Sequence, residues 1–333
     1  MKTTTPRSIL TASAAVLCAL TLTTARADSF GSGGNAFTID FVNIGDAGNA
    51  DDAGAGGGLY STPYGGVSYG YRMGTYEISQ DAITKATASG LLNVTTDGAG
   101  LRPAGNVTWF ECAAFVNWLN TSTGHQAAYN LTQIPPDVYG NTWSMALWSS
   151  AQAWQTDGEN LYRHKDAFYF LPSEDEWYKA AFHKNDGVTA NYWDYATGSN
   201  TVPVQALVDG TTPFTAVFDD RFVPGVPADP ADVNLAGGLS AYGTMGQNGN
   251  VWEWAESAFD GINNSSSEYR AFRGGDWGDP EDYLRSSIRN VYTPTDSAPY
   301  VGFRVASVPE PSSLALLAAA AVGLAARRSR KTL

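Results

Sequence analysis

Apolar positions along this chain change period several times, and each change marks a predicted element. In "VTWFECAAFVNWLN", Trp109, Cys112, Ala113, Val116 and Leu119 recur at helical spacing and fall on one face. Thr108 precedes the run and Glu111 follows three positions on, the pairing of a capping box, so a helix is predicted after Thr108. The same device opens "LPSEDEWYKAAFH", where Ser173 and Glu176 form the box and Trp177, Ala180 and Ala181 the stripe. "YGYRMGTYEIS" (Tyr69–Ser79) alternates as a strand does, and Ser79 is placed to cap a helix running to about Gly90. Thr201–Phe218 also reads as strand, Arg221–Asn234 as proline-studded coil, and Ile44–Gly58 as a long Gly- and Asp-rich loop. That loop lacks the alternating ligand spacing of an EF-hand, so a turn system is its first reading and calcium binding its second. Helices, short strands and much irregular backbone predict an α+β fold of low regular content.

Both ends depart from this pattern. Residues 1–27 carry Lys2 and Arg7, then "ILTASAAVLCALTLTTA", then Ala25-Arg26-Ala27, the layout of a secretory signal peptide cut before Asp28. At the other end Leu314–Ala326 would form about 20 Å of apolar helix. That is short of the roughly 30 Å of hydrocarbon in a bilayer. Arg327, Arg328, Arg330 and Lys331 follow and would stay on the cytoplasmic side. Preceded by Pro309-Glu310-Pro311, this tail resembles the PEP-CTERM sorting signal. The resemblance implies recognition by an exosortase in a Gram-negative bacterium, removal of the tail, and delivery to the cell surface or extracellular matrix. A plain tail anchor is the alternative. Membrane contact is then expected only through the transient C-terminal segment. The chain thus divides into a leader (1–27), a body (28–308) and a sorting and anchor segment (309–333).

Charge narrows the partners of the body. The two ends hold seven of the 20 basic residues and one of the 33 acids, which leaves 13 basic and 32 acidic residues, a net charge of −19. Such a surface repels phosphate backbones and anionic lipid, so nucleic acid is not an expected partner. Divalent cations, basic peptides and neutral glycans remain compatible. Cys18 leaves with the leader, so Cys112 is the one thiol of the body and no disulfide forms within it. His125, His164 and His183 are scattered without a His or Cys at ligand spacing, which argues against zinc. No nucleophile elbow and no glycine-rich phosphate loop is present.

Several words of the body are more specific than any periodicity. "YRMGTYEIS", "PAGNVTWFECAAFVNWLN", "FYFLPSEDEWYKAAFH", "YGTMGQNGNVWEW", "FRGGDWGD" and "APYVGFRVA" stand in the order seen in the formylglycine-generating enzyme family of sulfatase-modifying factors. The chain resembles that family from about Tyr69 to Ala306. The resemblance implies a C-type-lectin-like α+β fold. It also implies an ancestry shared with copper-dependent cysteine oxidases, oxygenases and binding proteins without that chemistry. In the oxidase members two cysteines just after Arg-Gly-Gly hold copper(I) and the substrate thiol. Here that stretch, Asp276–Arg289, has no cysteine. Asp279, Glu281 and Asp282 are hard oxygen ligands unsuited to a soft cation, so copper is not expected. Cys112, on an apolar helix face, reads as core.

Three candidate groups follow. The resemblance points to Gly249, Val251 and Glu253 as a weak calcium site, with Gly246 where a side-chain ligand often stands. The competing reading makes Glu253 a buried acceptor for an arginine or a backbone N–H, with Trp252 and Trp254 as core. Arg273, Arg285, Arg289 and Arg304 suit a structural clasp on the neighbouring acids Asp276, Asp279, Glu281 and Asp282, with capture of a ligand carboxylate as the alternative. Asp276, Trp277, Asp279, Tyr292 and Tyr300 offer aromatics among polar groups, a surface for a glycan or peptide ligand. The expected function is an exported, surface-sorted, non-catalytic binding or matrix module; the alternative is an oxidoreductase-like enzyme using other residues.

Overall fold

The computed structural model describes residues 26–309 except 55–62, 91, 97, 137–141, 206–211 and 220–228. The expected leader up to residue 25, the tail from residue 310, and part of the glycine-rich loop lie outside the described residues. In chain order the first elements are β1 (Arg26–Phe30), β2 (Phe37–Ile44), β3 (Tyr71–Gly74), α1 (Gln80–Thr87) and α2 (Trp109–Ser122). Short strands β4 (Asn130–Gln133), β5 (Trp143–Ala146), β6 (Ala153–Trp154), β7 (Asn160–His164) and β8 (Tyr169–Phe170) precede α3 (Glu174–Phe182). After β9 (Val204–Gln205) and β10 (Thr215–Ala216) come β11 (Trp252–Ala258), β12 (Arg270–Arg273), β13 (Asn290–Tyr292), β14 (Val301–Gly302) and β15 (Ala306–Ser307).

Two sheets carry the body. One has the order β1-β2-β3-β15-β8 and the other β13-β12-β11-β14, so the last strand of the chain is an inner strand of the first sheet. In β2, Phe37, Ile39 and Phe41 alternate inward, the period of a half-buried strand. Strand β1 takes in Arg26 and Ala27, two residues on the leader side of the expected cut; both are exposed, and burial begins at Asp28. Asp28 is held by Arg72 at 2.7 Å and by the Tyr169 hydroxyl at 2.9 Å.

All three helix caps expected from the sequence are present. Ser79 accepts from the amide of Ala82, and both Thr108–Glu111 and Ser173–Glu176 close reciprocal boxes. The stripe expected on α2 is corrected: Phe110, Ala114, Phe115 and Trp118 are buried beside the five residues assigned to that face. The helix packs on the first sheet through β8, and the Trp109 indole donates to the carbonyl of Ala255 in the second. A helix enclosed in this way has no solvent face to keep polar. Helix α3 covers the other face of the second sheet, with the Trp177 indole donating to Glu253 at 2.7 Å. Trp109, Trp177 and Trp254 are all less than 2% exposed, and deleting such a ring costs about 3–5 kcal/mol.

Regular ladders are few, so buried amides stand in for them. Asn120 accepts from the backbone of Phe168 and Tyr169 and donates to the Tyr169 carbonyl, pairing with the chain as another strand would. Thr201–Phe218 forms only β9 and β10 within its described residues.

Candidate ligand-binding site

The Arg-Gly-Gly word ends β12 and turns the chain. Gly274 and Gly275 adopt φ of +109° and +78°, and a Cβ on Gly275 would lie 2.8 Å from Leu284. Beyond the turn the acids fold the loop onto itself. Asp276 accepts from the amide of Gly278 at 2.7 Å, while Asp279 accepts from the amide of Asp276 at 3.1 Å and the Trp252 indole at 2.8 Å. The amide of Trp277 donates to the Asn250 carbonyl at 3.0 Å. Asp276 is buried, and its carboxylate is a loop cap before it is a contact for any ligand. No thiol lies in this loop. Cys112 is fully buried on α2, where burial first and the nearby Glu111 second push its thiol well above the ordinary range. These residues do not fit copper(I), which requires exposed thiolates.

The arginines clasp, but their partners differ from those expected. Glu174, at the start of α3, receives Arg273 Nε at 2.7 Å and Arg289 Nε at 2.8 Å on one oxygen, and Arg289 Nη2 at 2.5 Å on the other. Arg273 also donates to the carbonyls of Ser286 and Ile288, which ties the loop after the turn to the sheet. The Tyr64 ring lies under both guanidinium groups, at 4.6 and 5.2 Å, and Phe259 lies 3.8 Å from that of Arg289. Only Arg285 pairs with a neighbouring acid, Asp282, at 3.3 Å on the exposed surface. Among the described residues, Arg273, Arg289 and Arg304 take other partners than Asp276, Asp279 and Glu281: the turn brings loop amides and the Trp252 indole to the first two, and Glu281 is exposed.

Glu253 sits across from Arg273 on β11 and is fully buried. Arg304 grips both of its oxygens at 2.6 Å, and the Trp177 indole adds a third donor. Gly249 and Val251 bring backbone alone, and a Cβ at Gly246 would lie 2.5 Å from the Glu77 carboxyl. Burial, then the charge of Glu253, push Glu77 up to about 8, against Arg304 and a hydrogen bond from Asn250. Its Oε2 has no hydrogen-bond partner among the described residues. A carboxylate already holding a guanidinium, beside a carboxyl that retains its proton, does not fit a shell of six to eight oxygens around calcium.

One network escaped the sequence altogether. Arg163 is 1% exposed and reaches Glu176 at 2.8 Å and Glu256 at 2.7 Å, both glutamates being fully buried. Tyr69 donates to Glu176, while Tyr129 and Asn160 donate to Glu256. Burial, the largest influence, would raise Glu176, yet Arg163 together with the hydrogen bonds from Tyr69 and the Ser173 amide lowers its pKa; at Glu256 burial prevails over the same arginine. The one sequence signal here was Glu176, read only as a cap.

The predicted ligand surface separates into two parts. Tyr292 and Tyr300 meet hydroxyl to hydroxyl at 2.7 Å. Trp252, whose indole donates to Asp279, links the Asp276–Asp279 loop to them: its amide donates to the Tyr300 carbonyl at 2.9 Å, and its ring leads through Phe272 to Tyr292, with centroids 5.3 and 4.9 Å apart. Next to the tyrosine side lies a groove of about 490 Å³. Phe110, Ile134, Trp143 and Met145 form its apolar wall, and the Thr293–Asp296 loop with Ser266 and Ser267 its polar edge. That loop is braced by Asp296 accepting from the amide of Thr293 at 3.0 Å.

Comparison with known proteins sets this geometry in context. The sulfatase-modifying factor enzyme 1-like domain matches residues 64–308, and the PEP-CTERM protein-sorting motif matches residues 307–331. Hercynine oxygenase of Mycolicibacterium thermoresistibile is 31% identical over 156 residues, which covers 41% of this chain and 31% of that enzyme. Among solved structures, Treponema denticola variable protein 1 superposes with a TM-score of 0.59 at 22% identity, over 86% of this chain and all of the other. CarF gives a TM-score of 0.53 at 18% identity, over 82% and 99% of the two chains. The fold is the C-type-lectin-like fold of this family. The sorting motif indicates exosortase-type processing, with export and surface sorting. Among the described residues, no helix is long and apolar enough to cross a membrane.

Proposed function

The chain belongs to the sulfatase-modifying factor enzyme 1-like domain family, and we propose that it is a non-catalytic binding or matrix module of the cell surface. One observation carries this reading. The loop that holds the thiol pair in the oxidase members is here a cysteine-free, carboxylate-capped turn in which Asp276 and Asp279 accept from loop amides and the Trp252 indole. In that state it offers no soft ligand for a metal that activates oxygen. The groove beside Tyr292 and Tyr300 supplies the binding surface instead: rings to stack on a neutral glycan or a peptide, and hydroxyls to orient it. Glu253 serves as the acceptor of Arg304, and chelators should therefore leave Tm unchanged; a fall in Tm would restore the calcium reading.

The test is a glycan and peptide array probed with the exported protein and with Trp143→Ala. A ligand retained by the parent and lost by the variant supports the groove. Stoichiometric copper uptake with conversion of a substrate cysteine to an aldehyde would overturn the whole reading. The likeness to hercynine oxygenase favours a second reading, an oxidoreductase that uses other residues; turnover that survives Cys112→Ser would identify it.

A further inference from the structure

A second cavity, of about 250 Å³, opens near the far end of β11, by Ser257 and the start of α3. It is separate from the groove and does not depend on it. Trp154 and Tyr69 form an aromatic corner, their centroids 5.3 Å apart. Asp157, Glu159 and Asp175 also line it. Among the described residues the one cation on its wall is Arg163, whose charge is already spent on Glu176 and Glu256. One oxygen of Asp175 accepts from the amide of Gly65 at 2.9 Å; the other has no hydrogen-bond or ion-pair partner among the described residues.

Three ligand classes can be weighed against these walls. Anions meet three carboxylates. The helix start does not rescue them, because the Ser173, Glu174 and Glu176 amides are bound by Glu176, Ser257 and Ser173, and three acids offset the helix dipole. A bare metal ion lacks a shell, since no three metal-ligating side chains converge among the described residues. An organic cation uses everything present: a carboxylate for its charge and ring faces for its stem. The volume admits a group the size of one side chain and lies just under the range of ordinary small-molecule clefts.

We propose that this cavity binds a primary alkylammonium group, with Asp175 as its counter-ion and Trp154 and Tyr69 as its walls. The source is a lysine side chain of a partner peptide or a free diamine, which share that chemistry. Burial pushes Asp175 up to about 7, with Glu174 and Asp51 adding to the rise and the Gly65 amide and Arg273 opposing it. An ammonium ion, charged up to about pH 10, binds the ionised carboxylate, so affinity strengthens as pH rises through this value and then levels.

The experiment is calorimetric titration of the exported protein with N-acetyl-lysine methylamide, putrescine and the uncharged N-acetyl-norleucine methylamide, at about pH 6 and about pH 8. An amine should bind more tightly at the higher pH, and the norleucine compound should not bind. Asp175→Asn, which retains an acceptor for Gly65, should weaken binding about tenfold or more and remove the pH dependence. If that variant fails to fold, Trp154→Leu carries the test and should weaken binding by several-fold. Tighter binding of the lysine compound points to a partner protein, and tighter binding of putrescine to a free diamine. Equal binding of the norleucine compound, absence of binding by both amines, or parental affinity in a folded variant overturns the proposal.

Discussion

Two charge clusters of this fold are mirror images in composition. Around Arg163, one guanidinium lies between two carboxylates; around Glu174, one carboxylate lies between two guanidinium groups. The first leaves a surplus negative charge on fully buried carboxylates, and neutral donors from Tyr69, Tyr129 and Asn160 spread it. The second leaves a surplus positive charge nearer the surface, where Arg289 is 9% exposed and the rings of Tyr64 and Phe259 face it. A deep imbalance requires hydrogen-bond donors, whereas a shallow one can be met by aromatic faces and solvent. The inner cluster is therefore the more fragile.

Replacing Arg163 with Met should break that contrast most severely. It leaves two buried carboxylates uncompensated, and a loss of about 3–5 kcal/mol in denaturant unfolding, or failure to fold at neutral pH, is expected. Arg289→Met should cost less, about 1–2 kcal/mol, because Arg273 still holds Glu174. A pH-dependent effect comes from Glu77, whose folded pKa of about 8 lies above the roughly 4.3 of an unfolded glutamate. Between those values the folded chain keeps a proton that the unfolded chain has released. Stability is therefore full below the window and falls as pH rises through it. Glu77→Gln should flatten this slope in Tm against pH, and an unaltered slope would show that Glu77 ionises freely. Arg285→Ala, at an exposed pair, should change stability by less than about 0.5 kcal/mol.

Much of the fold was legible where its cause is local. Thr108 with Glu111 and Ser173 with Glu176 are three apart, and a box needs nothing further away. The turn at Gly274 and Gly275 has a cause just as local, a backbone angle that glycine allows. Reach was the limit elsewhere. Nearness in sequence suggested Asp276, Asp279 and Glu281 as acids for the arginines, yet Glu174 is 99 and 115 residues from Arg273 and Arg289. Only Arg285, three residues from Asp282, obeyed the local rule. Arg163 carried no sign of burial because its two glutamates come from α3 and β11, which only the tertiary fold brings together. The groove was out of reach for the same reason: Trp143 and Phe110 line it, and neither lies near Tyr292 in the chain.

The position of β15 bears on how the domain would carry a load. Ala306 and Ser307 are bonded to Met73 and Arg72 on one side and to Phe170 and Tyr169 on the other, at the point where the matched sorting motif begins. While the tail remains attached, tension arriving through residue 309 meets a strand gripped along both edges. Detaching it means rupturing the middle of a five-stranded sheet, so the tether is built into the interior.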